Sequence, residues 1–155
     1  MTTIVEVTFD EEQLKRFADL PLDTAKIAWR RAVERATIDA HRRAIEHKPA
    51  VDKRGAAVKR KFLTPSQRGM GEPRGVISAK GFVPVDTGRL RNSIEWKFEK
   101  DHSPFGDIGI VYSPVEYAPE MEAMFGFFAA TEEEVGKTID DIMYNAVERA
   151  KLLGF

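Results

Sequence analysis

Val83-Pro84-Val85-Asp86-Thr87-Gly88-Arg89-Leu90-Arg91-Asn92-Ser93-Ile94 joins a proline, an Asp-Thr-Gly turn, a short basic helical turn and the start of an apolar strand in twelve residues. Pro84 sets its own φ and biases Val83 towards extended backbone. Asp86 or Thr87 can accept hydrogen bonds from the next backbone N–H groups, as a helix N-cap does. Gly88 permits a left-handed turn at low cost. Leu90 should then point inward while Arg89 and Arg91 stay in water. Beyond this turn the side chains alternate. Ile94, Trp96 and Phe98 interleave with Glu95, Lys97 and Glu99, and Ile108, Ile110 and Tyr112 alternate likewise. That period of two predicts two half-buried strands. The linker Lys100–Asp107, with Pro104 and Gly106, predicts an antiparallel hairpin with a long loop.

Towards the N-terminus, Thr3–Phe9 reads as a first strand. Asp10 with Gln13 forms a capping-box-like pair that opens a short helix over 11–19, interrupted by Pro21. Asp23 is the next N-cap candidate, for a helix reaching Glu46. Ile27, Trp29, Val33, Ala36, Ala40 and Ala44 give it an apolar stripe, and Pro49 closes it. Towards the C-terminus, residues 115–128 predict a short helix rich in Met and Phe. Thr131 with Glu134 resembles a capping box, and Val135, Ile139, Ile142, Met143, Ala146, Val147 and Ala150 lie on one helical face after it. The order β-α-α-loop-β-β-α-α predicts an α+β fold: a small antiparallel sheet packed by a long N-terminal helix and a C-terminal helix, with a long basic loop.

The length of 155 residues suits one domain, 1–155, with residues 48–81 inserted in it as a flexible basic loop. That insertion holds five glycines, three prolines and nine basic residues, so regular structure is not expected across most of it; Val76–Val83 is a candidate strand at its end. No apolar run is long enough to span a bilayer. The N-terminus lacks the basic region and apolar core of a signal peptide, so synthesis in the cytoplasm is the expectation. The absence of cysteine removes disulfide and thiolate chemistry. The net charge of −1 conceals a split: residues 48–91 carry +8 and residues 92–155 carry −8. Such a division suits head-to-tail contacts between copies.

Catalytic patterns are sparse. His41 and His47 are six apart, which is not the spacing of a helical metal-binding pair, and all three histidines, His102 included, read as surface residues. No serine lies in a nucleophile elbow. Gly69, Gly71 and Gly75 have the wrong spacing for a phosphate loop and enclose Pro73. Glu132-Glu133-Glu134 suits the favourable end of a helix dipole. No cofactor and no metal site is expected, and the chain does not read as an enzyme. The basic loop, with Lys53, Arg54, Lys59, Arg60, Lys61, Arg68 and Arg74, offers phosphate contacts without a stacking platform or a recognition helix. It could touch DNA or clasp an acidic neighbouring protein. Met121, Met124, Phe125, Phe127 and Phe128 form an apolar cluster with two readings: core packing, or a contact between subunits.

The run Pro84-x-Asp86-Thr87-Gly88-x-Leu90-Arg91-x-Ser93-Ile94 resembles the signature of the tail-component family of long-tailed bacteriophages, the tail-completion or head–tail connector proteins. The strand Ile108–Tyr112, then Tyr117-Ala118 with Glu122 four residues on, then Phe127-Phe128-Ala129-Ala130 and a closing helix, are similar to the rest of that pattern. The chain departs from it at Met124, where relatives place glycine (here Gly126), and lacks a proline in the aromatic link. The resemblance implies a structural virion protein at the head–tail joint. It would form part of a homo-oligomeric ring, sixfold by analogy with the tail, whose partners are itself, neighbouring connector and tail proteins and, non-specifically, DNA in the channel, with no membrane. The alternative is a sequence-independent nucleic-acid-binding accessory protein using residues 48–81.

Overall fold

The two alternating runs form strands paired as a hairpin, and the first strand joins them from the other side. A computed structural model describes residues 3–7, 11–51, 53–56, 78–84, 88–100 and 105–153, with only the backbone for Thr3, Ile4 and Gln13. β1 (Thr3–Val7) and β2 (Glu95–Glu99) each pair antiparallel with β3 (Ile108–Ser113), giving the order β1-β3-β2. In register, Val5 lies opposite Val111 and Val111 opposite Trp96; Val7 and Phe98 both face Gly109. This face meets the helices, and Val5, Val7 and Val111 are buried on it. The other face carries the exposed Glu6 and Lys97 on either side of Ile110. There the Tyr112 hydroxyl donates to Glu95 at 2.9 Å, which raises the phenol pKa above its ordinary value, and Lys97 pairs with Glu99 at 2.9 Å.

α1 (Glu11–Lys15) is shorter than expected, and α2 (Leu22–Ala44) is the long N-terminal helix. The Asp10–Gln13 capping pair lies outside the described residues. Asp23 is not the N-cap. Pro21 holds that position with no side-chain cap, and Asp23 falls in the first turn, where the helix dipole still favours its charge. The buried stripe of α2 runs through Ala25, Ala28, Trp29, Ala32, Val33, Ala36, Ala40 and Ala44; Ile27 lies off it and is exposed. Alanines at this spacing let the sheet and a second long helix come close.

α3 (Arg89–Ser93) precedes β2, and α4 (Ala118–Phe125) comes after β3. α5 (Phe127–Leu153) starts four residues earlier than the sequence suggests. Thr131 is therefore no cap: it is buried inside the helix and its hydroxyl donates to the Phe127 carbonyl at 2.7 Å. The start of α5 is capped instead by Glu122, whose carboxylate accepts from the Phe128 and Ala129 N–H groups at 2.8 and 3.0 Å. Gly126 supplies the left-handed turn between α4 and α5, at φ +63°. Glu122→Ala is expected to cost about 1 kcal/mol by urea denaturation, as for lost N-caps generally, with Glu122→Asp intermediate; no loss in Glu122→Ala would mean the cap is idle.

Two apolar clusters form the core. One joins β1, the end of α2, Val83, Leu90, Ile94, Val115, Ala118 and the start of α5; the other joins Phe17, the first half of α2 and the later half of α5. Ile142 packs against both. In the second, Trp29 meets the rings of Phe17 and Phe105 edge-on, each at 5.6 Å between centroids. The fold is α+β, with a three-stranded antiparallel sheet, a long N-terminal helix and a C-terminal helix.

Candidate functional site

The segment Gly88 to Ile94 is a structural node. Gly88 adopts φ +77° and its carbonyl accepts from the Asn92 N–H at 2.9 Å, closing the single turn of α3. Leu90 is buried in the first core cluster while Arg89 and Arg91 are exposed, as the spacing predicts. Asp86 and Thr87 lie outside the described residues. Ser93 donates to the Leu90 carbonyl at 2.6 Å and its Oγ meets Ser113 Oγ at 2.8 Å. Ser113 Oγ in turn accepts from the Val115 N–H at 3.4 Å. One hydroxyl pair thus links the end of α3 to the end of β3.

The C-terminal end of α2 is stitched to the same segment. His41 Nε2 donates to the Ile94 carbonyl at 3.0 Å, and Arg91 Nε donates to the Ile45 carbonyl at 2.8 Å. His47 Nδ1 donates to the Val83 carbonyl at 3.2 Å, which the Ser78 hydroxyl also reaches at 3.2 Å. His41 and His47 are therefore not plain surface residues: both are half-buried and bound to backbone carbonyls. His102 lies outside the described residues.

Residues 78–84 do not form the strand suggested for Val76–Val83. Ser78 makes an isolated antiparallel bridge with Pro49, and the Ala79 N–H donates to the Lys48 carbonyl at 2.7 Å. The chain then turns, with Phe82 N–H donating to the Ala79 carbonyl and Gly81 at φ +86°. Gly81 N–H donates away from any sheet, to the Phe125 carbonyl at 2.6 Å. The basic insertion is thus closed at a neck, where Lys48-Pro49 meets Ser78-Ala79. Of its sequence-predicted contacts, Lys53 and Arg54 are exposed near this neck; Lys59, Arg60, Lys61, Arg68 and Arg74 lie outside the described residues.

Arg43 holds the neck to the helices and was not singled out by sequence reasoning. It is 8% exposed. Its Nε donates to Glu134 at 2.7 Å, a second guanidinium nitrogen donates to the Gly81 carbonyl at 2.8 Å, and its plane lies 4.0 Å from the Phe82 ring centroid. The signal in the sequence was its spacing: Arg43 comes after Ala36 and Ala40 on the buried stripe, where a charge needs partners. Glu134 serves as that partner, and so the run Glu132-Glu133-Glu134 is more than a dipole-compatible face.

The second half of the motif lies on α4 and its approach. Pro84 is half-buried, Ala118 is fully buried, and Tyr117 stands 5.7 Å from the Arg89 guanidinium. Phe127 and Phe128 are buried in the core, and Met121 and Phe125 pack against it. Phe127 and Phe128 are thus occupied within the chain, Met121 and Phe125 are half-buried, and Met124 is 62% exposed.

A shallow, open apolar depression of about 510 Å³ between α1, the start of α2 and Phe105 has no polar side chain to orient a small molecule. Among the described residues, no group of three or more His, Cys, Asp or Glu is gathered for a metal, and no helix is long and apolar enough to cross a membrane. No protein-family model, curated protein or solved structure matches this chain.

Proposed function

We propose that this chain is a structural virion protein of a long-tailed bacteriophage or prophage, a tail-completion or head–tail joining component. It acts by geometry rather than by catalysis, as one subunit of a homo-oligomeric ring at the joint, where it touches neighbouring connector and tail proteins. The observation that carries this reading is the convergence of the motif residues. Gly88, Leu90 and Ser93 from one run and Tyr117, Ala118 and Glu122 from another meet at one junction between sheet, α2 and α5. A motif used for chemistry would expose its polar groups to a cleft. Among its described residues, this one spends its glycine, serine and glutamate on backbone hydrogen bonds and caps. The α+β order and the division of charge along the sequence support the same reading.

The test is negative-stain electron microscopy of particles made when the gene is disrupted. Filled heads beside unjoined or abnormal tails are the expected result; intact, fully joined virions would overturn the assembly role. A second reading, a sequence-independent nucleic-acid-binding accessory protein, draws on the basic insertion and predicts salt-sensitive duplex binding with no defect in joining.

A further inference from the structure

The end of the molecule formed by the C-terminus of α2, the neck and α3 concentrates positive charge on fixed backbone. Lys48, Lys80, Arg89 and Arg91 are all exposed there, and Lys53 and Arg54 come close after the neck. Lys48 and Lys80 are held on adjoining segments by the Pro49–Ser78 bridge and by the Ala79 to Lys48 hydrogen bond. Lys48 Nζ lies 5.7 Å from the centroid of the Phe82 ring, which Arg43, committed to Glu134 and Gly81, also contacts. Arg91 is fixed by its bond to the Ile45 carbonyl. Of the described residues in 45–56 and 78–94, Glu46 is the one carboxylate, and it faces Arg43 at 3.9 Å.

The helix dipole accounts for part of this charge. Cations near the last carbonyls of α2 are favoured, and Arg91 satisfies one of those carbonyls directly. Lys48 and Lys80 lie beyond the helix on the neck, and neither is given a carboxylate partner by the ion pairs of the described residues. Cations carried on adjoining backbone segments repel one another, so a polyanion would stabilise their arrangement. Among the described residues here, the rings of Phe82 and Tyr117 are already engaged by Arg43, Lys48 and Arg89, so the exposed lysines and arginines suit phosphates rather than bases.

We infer that this end is a preformed phosphate-backbone contact for duplex DNA, read without regard to sequence. The inference deepens the assembly reading and rests on it for the source of the polyanion: a ring at the joint would surround the DNA that passes through. Because the backbone is already ordered, binding costs less than folding a free segment onto the duplex would.

The experiment measures binding of the full chain to a short mixed-sequence DNA duplex by fluorescence anisotropy across a salt series. Compared with it are Lys48→Ala/Lys80→Ala and a control on α5, Lys137→Ala/Lys151→Ala, with thermal melts to show that all are folded. The expected result is a log Kd against log salt slope shallower by about 2 in the neck variant, two phosphate contacts being lost, and unchanged in the control. Equal slopes and affinities in all three chains would overturn the inference, as would no binding by the wild type at low salt. Particles carrying Lys48→Ala/Lys80→Ala that fail to join, when the wild type binds no DNA, would assign this end to an acidic protein partner, overturning the inference and leaving the assembly reading intact. Joined virions from the disrupted gene, with DNA binding as expected, would remove the assembly reading and leave the DNA contact standing.

Discussion

Gly109→Ala is expected to destabilise the fold by about 3 kcal/mol or more, at the upper end for overpacked cores. The cause is local. Gly109 sits in the central strand directly under α2, and a Cβ there would meet the Thr37 side chain, with Thr37 Cβ at 2.8 Å and its hydroxyl nearer still. Thr37 is fully buried, and its hydroxyl donates to the Val33 carbonyl at 2.7 Å, so it cannot rotate away without losing that bond. The helix cannot lift either, because the alanine stripe holds it at close approach along its length. Thr37→Ala alone should cost about 1 kcal/mol or less, since its bond is to a carbonyl already serving the helix and alanine favours helix. The double variant Gly109→Ala/Thr37→Ala should then recover most of the stability lost by Gly109→Ala. Urea denaturation of the four chains decides it. A Gly109→Ala chain as stable as wild type would remove the close contact, and a double variant no better than Gly109→Ala would place the strain elsewhere.

Arg43→Ala is expected to cost about 2–3 kcal/mol, from a carbonyl left without its donor and the lost packing of a buried side chain. The loss has three parts: the Glu134 pair, the bond to the Gly81 carbonyl, and the plane packed on Phe82. Glu134 is half exposed in its side chain and can rehydrate, so the greater share belongs to the Gly81 carbonyl and the packing. Glu134→Gln should therefore cost only about 1 kcal/mol. Arg43→Lys should fall between, because an ammonium cannot reproduce the planar fork that reaches Glu134 and Gly81 together. The readouts are denaturation midpoints and amide exchange at Gly81, which should quicken in Arg43→Ala as its hydrogen bond to Phe125 loosens. If Glu134→Gln proves as costly as Arg43→Ala, the ion pair alone holds the neck.

Both predictions concern contacts that join elements far apart in the chain, and this divides what could be read early from what could not. The alternation in Ile94–Phe98 and Ile108–Tyr112 specified two strands, because side chains in a strand point to opposite faces by turns; in β3, however, the set facing the helices is Gly109, Val111 and Ser113, not Ile108, Ile110 and Tyr112. The stripes at helical spacing specified α2 and α5 for the same kind of reason. Gly88 was legible too, since a left-handed turn there favours a residue without Cβ. Caps were less legible. Asp23 and Thr131-x-x-Glu134 have the right residue types, yet Pro21 and Glu122 occupy the ends. A cap depends on which side chain reaches the free N–H groups, and Glu122 arrives from another helix.

The α+β class, the order of its elements, the division of charge and the turn at Gly88 were all written in the chain itself, because each rests on local backbone preference or on a repeat within one segment. Packing settled the rest. It made Arg43 the post of the neck and bound His41 and His47 to backbone rather than leaving them to water. It also laid Gly109 against Thr37, and it put Phe127 and Phe128 into the core with Met121 and Phe125 packed against them. The hydrogen bonds of Arg43, His41 and His47 among them span separations of 36 to 91 residues. Buried polar groups must find partners wherever the packing of α2 on the sheet and on α5 brings them.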